Sequence, residues 1–118
     1  MLADTHGPIS EVAAHGQQTV VTLTGEIDLS NHAALRGGLN DLITGGTVHL
    51  VLDMSGVTFI DSTGLGALIG TRRRVHAFHG SLAIVLSDPA TRRVFEVTAL
   101  DKVFDLHHTL DSALRTAS

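Results

Sequence analysis

Residues Phe59-Ile60-Asp61-Ser62-Thr63-Gly64-Leu65-Gly66 set an acid, two hydroxyls and two glycines between a pair of apolar residues and an amphipathic run. That order predicts a junction between extended chain and a helix, with the acid and hydroxyls at the helix N-terminus. A helix N-terminus presents unpaired N–H groups and the positive end of the helix dipole, which together favour negative charge by roughly 0.3–1 kcal/mol at an exposed site. Two chemistries fit. Asp61, Ser62 or Thr63 can cap the helix while Gly66 and Gly70 allow it to pack closely on a sheet, or a hydroxyl can carry a phosphate that the helix terminus tolerates.

Other chemistries do not fit the same residues. Ile60-Asp61-Ser62-Thr63-Gly64 is not the G-x-S-x-G elbow of a nucleophilic serine, which argues against a hydrolase. Gly64-Leu65-Gly66 is followed by Ile69 where a dinucleotide fingerprint needs its third glycine, and no G-x-x-x-x-G-K-[ST] phosphate loop occurs. The 8 histidines include the pairs His76 with His79 and His107 with His108, but H-E-x-x-H is absent and the sequence gives no set of three or four convergent ligands, so no metal is expected. Arg72-Arg73-Arg74 stand on successive helical positions that fan out by about 100° each, so they make no single basic face.

The surrounding pattern predicts the elements that hold this junction. Ile9 to Ala14 and Thr19 to Thr24 are β-prone and flank His15-Gly16-Gln17, which reads as an opening β-hairpin. Gly25-Glu26-Ile27-Asp28 breaks the second strand, and Ser30 or Asn31 can cap a helix carrying Ala34, Leu35, Leu39, Leu42 and Ile43 at helical spacing. Gly45-Gly46 ends that helix. The apolar run from Val48 to Asp53 suits a central strand covered on both faces, and its connection through a helix to the strand at Thr19 makes a parallel βαβ unit.

A loop over Gly56-Val57-Thr58-Phe59-Ile60 then leads to a second helix from Ser62 to about Phe78, with Leu65, Leu68, Ile69 and Val75 facing inward. Gly80 terminates it, and Leu82 to Leu86 follows as a strand. Asp88 caps a third helix with Pro89 in its first turn, Val103-Phe104-Asp105 forms a short edge strand, and a last helix starts near Thr109 with Leu110 and Leu114 on one side. The expected fold is α/β, a mixed and mostly parallel sheet of about five strands with about four α-helices, opening with a hairpin.

The 118 residues suit one domain, with a core spanning about residues 9–114. A composition that is 43% hydrophobic and 17% charged belongs to a chain that folds alone. With 8 basic against 12 acidic residues and aromatics at 3%, neither the phosphate contacts nor the base stacking of a nucleic-acid binder is provided. No apolar stretch approaches the roughly 20 residues of a membrane span. The stretch from Met1 to Pro8 lacks the basic and apolar regions of a secretory signal, so a cytoplasmic location is expected.

Asp61-Ser62-Thr63-Gly64-Leu65-Gly66 resembles the D-S-[ST]-G-L-G signature of bacterial anti-sigma factor antagonists of the STAS family. Leu23-Thr24-Gly25-Glu26-Ile27-Asp28 is similar to that family's L-x-G-E-[LI]-D turn, and Leu50-Val51-Leu52-Asp53-Met54-Ser55 to its central strand. The resemblance implies a non-enzymatic protein that binds a cognate anti-sigma factor, itself a serine kinase, and so frees a sigma factor for transcription. It implies phosphorylation at Ser62, loss of binding in the phosphorylated form, and a serine phosphatase that restores it. ATP and magnesium belong to the partner, and this chain needs no cofactor.

Partner contact is then expected at Glu26, Asp28, Asp61, Ser62, Thr63, Gly64 and Leu65. For Glu26 and Asp28 a second reading stands equally, a solvated acidic turn capping the first helix. A phosphate would add about -1.5 to -2 charge beside Asp61 and weaken docking by repulsion and bulk. The alternative function is a non-switching STAS subunit of a stress-sensing or lipid or anion transport assembly; the retained Asp61-Ser62 pair favours the switch.

Overall fold

The computed structural model describes residues 7–116, so of the N-terminal stretch read above residues 1–6 lie outside the described residues. Strand β1 (Ile9–His15) turns at Gly16 and pairs antiparallel with β2 (Gln18–Ile27), as the hairpin pattern predicts. Helix α1 (His32–Thr44) then crosses to β3 (His49–Ile60), helix α2 (Ser62–Ala77) to β4 (Ser81–Val85), and helix α3 (Pro89–Val97) with a 3-10 turn (Leu100–Lys102) to β5 (Asp105–His107). Helix α4 (Leu110–Thr116) follows. Among the described residues these strands form one sheet in the order β1-β2-β3-β4-β5, parallel except for the first pair, with β3 at the centre.

Alternation along the inner strands gives the sheet two apolar faces. On one face Val21, Leu23, Leu50, Leu52 and Ile84 meet Leu35, Leu39 and Ile43 of α1, Leu68 and Val75 of α2, and Phe95 of α3. On the other, Val20, Val51, Ala83 and Val85 meet Ala113 of α4, with Leu110 and Leu114 packed alongside. Each fully buried Leu, Ile or Val contributes about 1.5–3 kcal/mol, so the larger face, with three helices on it, dominates the fold's stability.

Helix α3 starts as its sequence demands. Asp88 Oδ2 accepts from the Thr91 N–H at 2.9 Å and the Thr91 hydroxyl at 2.8 Å, and Pro89 opens the first turn. The expected edge strand lies two residues later than its apolar pattern placed it. Phe104 is instead buried in the core, edge-on to Phe95 with ring centroids 5.8 Å apart, and β5 pairs with β4 from Asp105 onward. Burial of the ring against Phe95 outweighs its strand propensity.

Two other expectations are corrected where the sheet approaches the site. Strand β2 does not break at Gly25 but continues through Glu26 to Ile27, and the segment from Gly56 to Ile60 is strand rather than loop. The two extensions pair with each other, Thr24 with Gly56, Gly25 with Val57, Glu26 with Phe59 and Ile27 with Ile60. Register shifts at Thr22/Thr24 and Gly25/Glu26 carry the irregular chain, and Gly25 adopts a φ of +84°, which suits glycine. Val57, Ile60 and Ile27 are buried, so tertiary pairing overrides the local turn signals.

Candidate functional site

The carboxyl ends of β2 and β3 deliver two chain segments to one place, the β2–α1 loop and the start of α2. Asp61 joins them. At the N-cap of α2 its backbone is extended, and Oδ1 accepts from the N–H groups of Thr63 at 3.0 Å and Gly64 at 3.1 Å and from the Thr63 hydroxyl at 2.5 Å. Its other oxygen, Oδ2, accepts from the Leu29 N–H at 3.2 Å, and its own N–H donates to Ile27 O at 3.1 Å. The Thr63 hydroxyl, followed by the Gly64 N–H, holds the Asp61 carboxyl below the usual carboxylate range. Asp61 is therefore ionised at neutral pH and charge-assists these bonds.

The neighbouring hydroxyls have different fates. Thr63 is committed to Asp61, whereas Ser62 is exposed and its hydroxyl has no protein partner among the described residues. Of the three amides that open α2, two are committed: Thr63 and Gly64 donate to the Asp61 side chain, and Leu65 N begins the helical ladder by donating to Asp61 O. The Asp61 carboxylate fills the anion position made by the Thr63 and Gly64 amides, so a phosphate on Ser62 would find only the Ser62 N–H uncommitted at the start of α2 among the described residues. A phosphate on Ser62 would stand beside that carboxylate as added, unneutralised charge.

Gly64 and Leu65 face inward. A Cβ on Gly64 would lie 2.8 Å from Ile27 Cγ2 and 2.8 Å from Ile60 Cγ1, so the glycine allows α2 to close on the ends of β2 and β3. This is the close approach that the sequence suggested for Gly66 and Gly70, where an added Cβ meets nothing within 4 Å. Leu65 is 8% exposed and belongs to the core. Both residues shape the site from beneath.

In the β2–α1 loop, Asp28 Oδ1 accepts from Ser30 N at 3.0 Å and from the Ser30 hydroxyl at 2.6 Å. Asn31 spans the turn, its Nδ2 donating to Glu26 O at 2.7 Å and its Oδ1 accepting from Asp28 N at 2.9 Å. Asn31 thus occupies the N-cap position of α1 but spends its side chain on the loop, not on the helix. Asp28 shapes the turn through Ser30, the Glu26 side chain is exposed, and neither carboxylate caps α1, whose N-cap position is Asn31. Sequence reasoning passed over Leu29, which is 72% exposed and bonded through its amide to Asp61. The available signal was a large apolar residue in an acidic turn, off the helical spacing of α1.

Among the described residues no group of three or more His, Asp and Glu side chains is placed to hold a metal ion. His107 bridges Ser112 Oγ at 2.7 Å and Asp105 Oδ1 at 2.9 Å, and so fastens α4 to β5.

A family model described as "STAS domain" matches residues 10–113, and the chain belongs to that family. It is 35% identical to the anti-sigma-F factor antagonist RsfB of Mycobacterium tuberculosis over 103 residues, which cover 87% of this chain and 84% of the relative. It is 34% identical to the anti-sigma-B factor antagonist of Bacillus subtilis, over 73% of this chain and 78% of that one. The crystal structure of an anti-sigma factor antagonist from Mycobacterium paratuberculosis superimposes with a TM-score of 0.82 at 37% identity, covering 90% of each chain.

Proposed function

We propose that this chain is an anti-sigma factor antagonist whose unphosphorylated form binds a cognate anti-sigma factor and so releases a sigma factor. Phosphorylation of Ser62 ends the binding. The observation that carries the reading is the free, exposed Ser62 hydroxyl beside an ionised Asp61 whose bonds already use two amides of the helix terminus. A kinase can reach the hydroxyl, and the phosphate it adds stands beside a carboxylate that already uses two of the terminal amides, adding negative charge to the docking surface. Relatives at 35% and 34% identity carry the anti-sigma factor antagonist name, which supports the same role.

The surface that meets the partner is formed by the exposed Ser62 and Glu26, with Asp28, Asp61 and Thr63 fixing the backbone around them. Gly64 and Leu65 contribute by setting the height of α2 over the sheet. The protein acts by binding and not by catalysis, and it holds no cofactor. ATP and magnesium serve the anti-sigma factor in its capacity as a serine kinase, and a serine phosphatase resets the switch. The exchange takes place in the cytoplasm; among the described residues no helix is long and apolar enough to cross a membrane.

The test is capture from native lysate on wild-type, Ser62→Ala and Ser62→Glu baits, with identification of the bound proteins by mass spectrometry. Retention of an ATP-binding partner by wild type and Ser62→Ala and its loss by Ser62→Glu is the expected result. Equal capture by all three baits contradicts the switch and favours a non-switching subunit of a stress-sensing or transport assembly.

A further inference from the structure

At 72% exposure Leu29 is, with Val97, one of the two most exposed large apolar side chains among the described residues. A lone exposed leucine is ordinary; its backbone sets this one apart. The Leu29 N–H donates to Asp61 Oδ2 at 3.2 Å, while Oδ1 of the same carboxylate caps α2 at Thr63 and Gly64, the two residues that follow Ser62. The loop on either side of Leu29 is fixed as well, by Asp28 Oδ1 on Ser30 and by Asn31 across Glu26 and Asp28. An apolar side chain is thus held out into solvent on a loop that has little conformational freedom left to lose, the arrangement that makes binding of a partner inexpensive.

We propose that Leu29 is an apolar anchor for the anti-sigma factor, entering a pocket on that partner, and that Asp61 is the positioning residue that keeps Leu29 in register with Ser62. The inference rests on the functional reading above and names a contact within it. The partner is the occupant because the Leu29 loop is continuous with the Ser62 surface through one carboxylate, so a protein docked over Ser62 covers Leu29 too. The arrangement also puts the charge added at Ser62 next to the group that orders the anchor.

The experiment measures affinity of purified wild type, Leu29→Ala, Leu29→Met and Ser62→Glu for the host's own anti-sigma factor by titration calorimetry. Amide hydrogen exchange is followed in parallel in wild type, Asp61→Ala and Ser62→Ala. Leu29→Ala is expected to weaken binding by about tenfold or more, the effect of losing a buried side chain at a docking centre, and Leu29→Met to restore most of it. The Leu29 amide should exchange faster in Asp61→Ala and as in wild type in Ser62→Ala. If Leu29→Ala binds like wild type while Ser62→Glu does not bind, the anchor is overturned and the functional reading stands. If Leu29→Ala and Ser62→Glu both bind like wild type, or wild type itself fails to bind, both fall. Unchanged exchange at Leu29 in Asp61→Ala overturns the positioning role.

Discussion

The Thr63 hydroxyl donates to Asp61 Oδ1 at 2.5 Å, and this bond separates the roles of two adjacent hydroxyls. Thr63 belongs to the cap of α2, while Ser62, one position earlier, points to solvent with nothing to hold it. A kinase that reaches this surface therefore meets one available hydroxyl. Incubation with the cognate kinase and ATP should label wild type and Thr63→Ala, and leave Ser62→Ala unlabelled. Labelling of Ser62→Ala at Thr63 would show that the cap opens readily and that the bond does not decide the acceptor.

Removal of the cap should cost stability without changing the fold. Asp61→Ala loses the bonds to Thr63, Gly64 and Leu29 together and should lower Tm by on the order of 5 °C in a thermal scan. Ser62→Glu should leave Tm within about 2 °C of wild type, since an exposed side chain with no partner is replaced by another exposed one. A large fall in Ser62→Glu would mean that the added charge disrupts the fold, so that its binding defect could no longer be assigned to the interface.

The glycines of α2 should respond in opposite ways. Gly64→Ala drives a methyl to 2.8 Å from both Ile27 Cγ2 and Ile60 Cγ1 and within 3.1 Å of Ile27 O, and overpacking of this kind typically costs about 1–3 kcal/mol. Gly66→Ala meets open space at an exposed position of α2 and should stabilise the helix by about 0.5–1 kcal/mol. Urea unfolding of the two variants checks both signs.

Acid should weaken both helix caps. Asp61 and Asp88 are held below the usual carboxylate range, chiefly by the Thr63 and Thr91 hydroxyls respectively. Because the native carboxyls bind protons less readily than the unfolded ones, their contribution is complete above the unfolded value of about pH 4 and is lost as pH falls through the lower native values. The Asp61→Asn, Asp88→Asn double variant should have a lower Tm at neutral pH and a flatter fall in Tm below about pH 4 than wild type. Parallel curves for the two proteins would assign the acid sensitivity to other groups.

Much of this was legible in the residues. The β-prone run around Val20, the unbroken apolar run around Val51, helical spacing at Leu35 and Leu39, and Asp88-Pro89 each carry local signals that agree with the final packing, and the α/β order follows from them. The order from Asp61 to Gly64 likewise placed an acid and two hydroxyls at a helix terminus but left open which of them caps it, which the bonds of Asp61 decide. The extensions of β2 and β3 were hidden because Gly25 and Gly56 read locally as turn formers, while their strand conformation comes from pairing with each other. Phe104 was drawn into the core by Phe95, a contact that the 3-10 turn between them makes and that a strand pattern does not register. The Leu29–Asp61 bond spans 32 positions, so only the folded sheet brings its partners together.

The central claim is that charge at Ser62 controls docking at the surface and nothing else in the molecule. Its most direct test is the dissociation constant of the purified chain for its anti-sigma factor before and after stoichiometric phosphorylation, with Tm measured on the same samples. The account predicts that phosphorylation weakens binding by about a hundredfold or more, as truncation or repulsion at a docking centre does, while Tm stays within about 2 °C. Equal affinity of the two forms would contradict it.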